Sequence, residues 1–442
     1  MQQNKMQQKM QQNETQQNET QYNFDKIIDR RGTDSLKHDY AKELGKPESA
    51  TPLWVADMDF EIPPEATKAI MNSANHAIYG YTITKDDYTS VVQAWFRNNF
   101  GFESEPEWIV KTPGVIFALA MAVRAFTNEG DKIIIQKPVY HPFEQIVKVN
   151  NRVVINNPLI HKNSEYNNSH NSRHNSHNSH YNSRHNNRYS IDFEDFERKI
   201  ADNNVKMFIL CSPHNPVSRV WTKEELYEMG KICLKHKCLV VSDEIHCDLV
   251  YEGYKHHNFA TVCGSFLENS IICTSPSKTF NLSGLQNSNI FIPNEKLRQK
   301  FATEISKAGY HQMSTMGLAA CKAVYQHGHG WLSELLNYLQ GNIKFMKAFL
   351  EENMPQVKLT EPEGTYLLWL DFNGLNLSRN LSGSLSRNLF HEELDDIFLN
   401  KAGVWFSSGT GFGEDGRGFF RVNIACPRST LEDAMKRIVA SL

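Results

Sequence analysis

The sequence has no apolar run approaching the roughly 20 residues that a membrane-crossing helix needs. Residues 1–20 are rich in glutamine and asparagine and have neither the apolar core of a secretory signal nor the arginines of a mitochondrial presequence. The expected compartment is therefore the cytosol. No excess of one charge is present: 47 Lys plus Arg against 50 Asp plus Glu leave a net charge of -3, which gives no reason to expect nucleic acid or an anionic membrane as a partner. No C-x-x-C pair occurs among the eight cysteines, Cys211, Cys233, Cys238, Cys247, Cys263, Cys273, Cys321 and Cys426. Several stand in apolar runs, such as Ile271-Ile272-Cys273 and Ile424-Ala425-Cys426. That placement predicts buried free thiols rather than disulfides or metal ligands.

What is present is ordinary globular material: 442 residues, 40% hydrophobic and 22% charged, enough for a real core and two or three domains. Three segments stand apart in composition. The tail, 1–20, has almost nothing to bury and reads as disordered. Segment 163–188 is rich in Asn, Ser, His and Arg, and segment 376–388 repeats Leu-Ser-Arg-Asn at 377–380 and 385–388. Both internal segments read as insertions in surface loops, where extra length carries a small entropic penalty. His170, His174, His177, His180 and His185 offer nitrogen ligands for a metal, but a solvated polar loop without fixed geometry is the preferred reading, and no metal site is expected.

Between these segments, short apolar runs alternate with helical patterns. Residues 133–135, 206–211, 238–241 and 270–274 read as buried strands, and 222–236 as a helix opened by a capping box of Thr222 with Glu225. Such alternation predicts α/β architecture with a mostly parallel sheet. After about Tyr325 the texture changes to a long amphipathic helix at 331–352 and strands at 366–370 and 419–424, which predicts a smaller α+β domain. The expected division is an N-terminal segment, 21–75, packing with the small domain; a large domain, 76–325; and a C-terminal domain, 326–442.

Residues suited to chemistry lie at the predicted strand ends. Lys278, in Thr274-Ser275-Pro276-Ser277-Lys278-Thr279, directly follows a strand. A partly desolvated amine there suits Schiff-base chemistry, and the hydroxyls of Ser275 and Ser277 suit a phosphate; a surface lysine in a turn is the rival reading. Asp243 follows another strand and offers a carboxylate to a protonated ring nitrogen, or caps a helix. Gly114 and Val115, in Thr112-Pro113-Gly114-Val115-Ile116, open a helix whose free N–H groups can hold a phosphate. Tyr140 can stack on an aromatic ring or pack in the core. Asn215 can donate to a phenolic oxygen or form a turn. Arg421, within a late apolar strand, calls for an anion, either a substrate carboxylate or a structural ion pair. Each signal is modest, and their order along strand ends is what joins them.

With these residues in view, the sequence resembles the fold-type I pyridoxal-5′-phosphate (PLP) enzymes of the aspartate aminotransferase superfamily, and more narrowly the MalY/PatB-type C–S β-lyases. The stretches that carry the resemblance are Trp54-Val55-Ala56-Asp57-Met58-Asp59-Phe60, Tyr79-Gly80-Tyr81, Thr112-Pro113-Gly114-Val115, Pro213-His214-Asn215-Pro216, Asp243-Glu244-Ile245-His246-Cys247-Asp248, Ser275 to Asn281 and Arg421 to Arg428. The resemblance covers about 22–442 apart from the two internal insertions. It implies a large domain with a mostly parallel seven-stranded sheet, a small α+β domain, and PLP as cofactor. It places the Schiff-base lysine on Lys278, its ring-nitrogen partner on Asp243, the stacking tyrosine on Tyr140 and the phenolic-oxygen asparagine on Asn215. The phosphate positions fall on Gly114, Val115, Ser275 and Ser277, and the carboxylate arginine on Arg421. Tyr81 matches a tyrosine that reaches the neighbouring subunit's phosphate, implying a homodimer with shared sites.

His246 and Gln286 depart from the aspartate aminotransferase pattern, where a tyrosine and an arginine are usual, and fit the lyase subgroup better. Ser218 stands where glycine is common, which raises backbone strain if the turn needs a positive φ. The expected activity is α,β-elimination of a sulfur amino acid such as L-cystathionine to a thiol, pyruvate and ammonia. The alternatives are an aminotransferase on the same scaffold and a regulatory PLP-binding protein.

Overall fold

The computed structural model describes residues 22–162, 187–375 and 384–442, with the side chains of 384–389 left out. The expected disordered tail and the histidine-rich run therefore lie outside the described residues, except for Asn187 and Arg188.

Seven strands form the main sheet: β1 (Ile109–Thr112), β2 (Lys132–Ile135), β3 (Val153–Asn156), β4 (Met207–Cys211), β5 (Leu239–Asp243), β6 (Ser270–Thr274) and β7 (Ser288–Phe291). Their order is β1-β7-β6-β5-β4-β2-β3. β7 runs antiparallel to both neighbours and every other pair is parallel. All strands but β7 therefore deliver their carboxyl ends to one edge. β4, β5 and β6 are buried along their whole length, which is why they read as unbroken apolar runs. Alternate residues feed two cores: Ile134, Phe208, Val240 and Ile272 on one face, and Ile133, Met207, Val241 and Ile271 on the other.

Helices cover both faces. α1 (Pro64–His76), α2 (Asp86–Phe100), α3 (Val115–Phe126) and α4 (Lys223–Lys235) are followed by α5 (Thr315–His327), along which α1 packs. The capping box of α4 is present: Thr222 Oγ1 accepts from Glu225 N–H at 3.2 Å and the Glu225 carboxylate accepts from Thr222 N–H at 2.8 Å. α6 (His329–Asn353) and α7 (Arg428–Ser441) belong to a second layer built on an antiparallel sheet. Its strands are β8 (Lys358–Leu359), β9 (Leu367–Asp371), β10 (Ser407–Ser408) and β11 (Phe419–Asn423), in the order β8-β9-β11-β10. Asn342 of α6 ties that helix to the chain leaving β11 by donating to the carbonyls of Ile424 and Cys426 at 2.8 and 3.1 Å.

The N-terminal segment straps this second layer. Phe24 meets Trp331 and Tyr338 of α6 at ring separations of 5.7 and 5.5 Å, and Thr51–Pro52 pairs in parallel with Val404–Trp405. All eight cysteines are free, and each is buried except Cys263, which is partly exposed. One expectation is corrected. The second Leu-Ser-Arg-Asn repeat is not loop: residues 384–388 open the helix Ser384–Asp396. Leu385 and Leu389 stand one helical turn apart, a spacing that the polar composition of the repeat obscured. Among the described residues no helix is long and apolar enough to cross a membrane.

Candidate active site

Read along the carboxyl edge of the main sheet, β1 leads into Gly114, β6 into Ser275, Ser277 and Lys278, β5 ends on Asp243, β4 leads to Asn215, and β2 to Tyr140. Cys211, Asp243 and Cys273 stand side by side in register. Residues far apart in sequence converge because each parallel strand returns the chain to the same edge, where α/β folds bind ligands.

Asp243 is buried, and the Ile245 N–H donates to its carboxylate at 3.1 Å. Burial pushes the Asp243 carboxyl up to about 7, against the smaller opposing pull of that N–H and of Lys278. Lys278 sits on the short helix Pro276–Thr279, and its Nζ donates to the Ala56 carbonyl at 2.6 Å. Burial lowers its amine to about 8, with Asp57 and Asp243 opposing and Arg421 assisting. His246 is buried with Nδ1 unpartnered, and burial holds it down at about 3, so it is neutral near pH 7. Its ring meets Tyr366 edge-on at 5.9 Å.

Arg421 comes from β11 of the second sheet and reaches across to the main one. It is buried, yet its partners are neutral: Asn215 Oδ1 at 3.0 Å, Trp54 O at 2.7 Å, Ser407 Oγ at 3.1 Å and the face of Phe412 at 4.9 Å. Its Nε has no partner, and burial lowers the guanidinium to about 10. A cation so placed is short of one anion. The Tyr140 N–H donates to the Asn215 carbonyl at 3.1 Å, which locks the two turns together.

At the other end, Gly114 caps α3 without a side-chain hydrogen bond, and a Cβ built on it meets open space. Val115 begins the helix, so its first N–H groups have no intrahelical partner. Ser275 caps the short helix, accepting from Ser277 N–H at 3.1 Å, and lies 2.7 Å from the Asn287 carbonyl and 2.9 Å from Ser277 Oγ. Tyr81 is 95% exposed. Gln286 is exposed as well. Residue-by-residue reading missed Ala56, Asp57, Ser407 and Tyr366. The motif around Trp54 was visible, but the Ala56 contact to Lys278 is made by backbone, which leaves no side-chain signature.

A model of the class I and II aminotransferases, described as "Aminotransferase class I and II", matches residues 48–438. The chain belongs to this family. It is 40% identical to cystathionine beta-lyase PatB of Bacillus subtilis over 95% of this chain and 100% of that one. Among solved structures it is similar to cystalysin from Treponema denticola, which contains a pyridoxal 5′-phosphate cofactor (TM-score 0.83, 33% identity, 95% of this chain and 98% of that one). It is also similar to the PLP-bound C–S lyase from Staphylococcus hominis (TM-score 0.82, 31% identity, 95% and 98%). The fold is that of the fold-type I PLP-dependent enzymes, and the family is PLP-dependent.

The residues present in this aminotransferase-family fold fit that cofactor. Asp243 is a buried carboxylate with spare acceptor capacity, matched to a protonated ring nitrogen. The uncapped start of α3 beside the open space at Gly114 suits a phosphate. The amine of Lys278, lowered to about 8, suits an aldehyde.

Proposed function

We propose that the protein is a PLP-dependent C–S β-lyase that carries out α,β-elimination on L-cystathionine or a related cysteine S-conjugate, giving a thiol, pyruvate and ammonia. The observation that carries this reading is the convergence of a buried, anion-deficient Arg421 with Lys278 and Asp243, Arg421 and Asp243 both acting on the Lys278 amine. The similarity to a named cystathionine beta-lyase and to C–S lyases supports it.

Lys278 would hold the cofactor, Asp243 its ring nitrogen, Tyr140 and His246 its ring surroundings and Asn215 its phenolic oxygen. Gly114, Val115, Ser275 and Ser277 would hold the phosphate, with Tyr81 added from a second subunit. When bound, PLP supplies an electron-accepting ring that makes the substrate Cα–H acidic. Arg421 binds the substrate carboxylate through its forked donors and orients Cα toward Lys278. The neutral Lys278 amine takes the Cα proton as general base. Asp243, as a carboxylate, keeps the ring-nitrogen proton in place, and a cation beside it draws its pKa back down. The Cβ–S bond breaks with its electron pair on sulfur, the thiolate takes up a proton, and the three-carbon remainder is hydrolysed to pyruvate and ammonia.

The same reading makes the protein a cytosolic homodimer. Tyr81 lies in a run with Ile78, Tyr79 and Ile83, which are 72%, 58% and 86% exposed, a patch suited to burial against a second copy. The test of activity is incubation of the PLP-loaded protein with L-cystathionine, assaying pyruvate and free thiol together. Equal amounts without added keto acid are expected. Amino-group transfer that appears only when a keto acid is supplied would move the protein to the aminotransferases.

A further inference from the structure

The irregular segment from Trp54 to Met58 runs between the two sheets, and each of its carbonyls accepts from a side chain. Trp54 O accepts from Arg421 Nη2 at 2.7 Å and Ser407 Oγ at 2.9 Å. Val55 O and Asp57 O both accept from Asn423 Nδ2 at 2.6 Å. Met58 O accepts from Asn281 Nδ2 at 3.0 Å and Arg30 Nη1 at 3.2 Å. Ala56 O, at the centre, accepts from Lys278 Nζ at 2.6 Å and from the Tyr366 hydroxyl at 2.9 Å. One short stretch of backbone thus holds Arg421 and, two residues on, Lys278.

We propose that Tyr366 is a positioning residue for Lys278, acting through the Ala56 carbonyl that the two side chains share. This rests on the reading of Lys278 as cofactor-holding base. A carbonyl oxygen has two lone-pair directions. With the phenol on one, the free amine is confined to the other, so its distance from the Arg421 subsite is set by the clamped backbone and not by a flexible four-carbon stem. Tyr366 is fully buried at the start of the second sheet's central strand, with its ring against His246 and its hydroxyl on Ala56 O. The two donors also compete for the same oxygen. Removing the phenol makes the Ala56 carbonyl a stronger acceptor for the Lys278 Nζ, which favours the ammonium over the neutral amine that takes the proton.

The test uses the PLP-loaded protein and Tyr366→Phe, which keeps the ring and removes one oxygen. Expected are a fall in kcat of about 10- to 100-fold with KM changed less than about threefold, and an acidic limb of the kcat–pH profile moved to higher pH. In the PLP-free protein, where the Lys278 amine is free, the pH dependence of cofactor capture, followed by growth of the visible band when PLP is added, moves in the same direction. Tyr251→Phe is the control: it removes an equally buried phenol bonded to the Thr365 carbonyl, and it leaves kcat and both pH profiles at their wild-type values. Asn423→Ala, which releases the carbonyls flanking Ala56, is the second variant and reproduces the kcat loss. Wild-type kcat and limb position in Tyr366→Phe, or an equal loss in Tyr251→Phe, would overturn the proposal while leaving the lyase reading intact. Borohydride reduction and peptide mapping check that reading separately: cofactor fixed to any residue other than Lys278 would overturn both.

Discussion

Arg421 Nη1 donates to Asn215 Oδ1 at 3.0 Å across 206 residues of sequence. The contact orients the Asn215 amide. Its oxygen is turned to the guanidinium, and in the proposed function the remaining NH2 is the donor to the cofactor's phenolic oxygen. Arg421 is met by dipoles and by no carboxylate, which in the proposed function suits it to a substrate carboxylate.

Asn215→Asp tests this arrangement. An aspartate at 215 forms an ion pair with Arg421 and removes the donor to the cofactor. The expected result is a fall in kcat/KM of about 100-fold, with a rise in KM as its main component, since a charged hydrogen bond is worth ~1.5–3 kcal/mol. Steady-state kinetics with L-cystathionine check it; an unchanged KM would show that Arg421 does not bind the carboxylate.

The amine of Lys278, lowered by burial to about 8, sets the sign of a pH dependence. In the proposed mechanism the base form takes the proton, so kcat is expected to rise as pH climbs toward about 8 and to level above it. Lys278→Ala abolishes turnover and the cofactor's visible band. A variant that retained both would remove Lys278 from the mechanism.

Asp243 predicts a stability effect in the protein freed of PLP. Its carboxyl is raised from 3.8 to about 7 by burial, so the folded state binds this proton more tightly than the unfolded chain. Between those values stability falls as pH rises, and above about 7 the loss is constant. Asp243→Asn removes the titrating group, so its melting temperature declines less than that of the wild type across this window. If PLP places its protonated ring nitrogen at Asp243, as proposed, its binding narrows the same difference. Scanning calorimetry across the pH range decides, and parallel curves for the two proteins would contradict the assignment.

Ser218 lies at φ 56, in the left-handed region expected from its place in the turn, and its Oγ donates to the Leu367 carbonyl at 2.5 Å. Strain and hydrogen bond oppose each other. Ser218→Gly relieves roughly 1 kcal/mol of strain and loses roughly 1 kcal/mol of hydrogen bond, so its unfolding free energy stays within about 1 kcal/mol of wild type. Ser218→Val has the strain without the bond and is destabilised by about 3 kcal/mol. Urea unfolding of both variants measures the pair.

Much of the frame is legible in the linear chain. The strand at Ser270–Thr274 is predicted to the residue, and the capping box of Thr222 with Glu225 places the start of its helix. Both rest on local physics: a buried parallel strand must be apolar throughout, and a helix start must satisfy its own N–H groups. Gly114, Tyr140, Asn215, Asp243 and Lys278 are legible for a related reason, since each follows or ends a strand and parallel strands share an edge. Other features depend on the packing of distant segments. The Ala56 carbonyl acts through backbone, which every residue has. Tyr366 looks like one more apolar strand residue until its hydroxyl is seen to meet that carbonyl. The neutral surroundings of Arg421 arise only where the second sheet meets the first. Sequence by itself determined which groups carry charge, protons and apolar surface, and where helices and strands begin. Only the tertiary structure decided which carbonyl each buried donor meets, because those partners lie hundreds of residues apart and are chosen by how the two sheets pack.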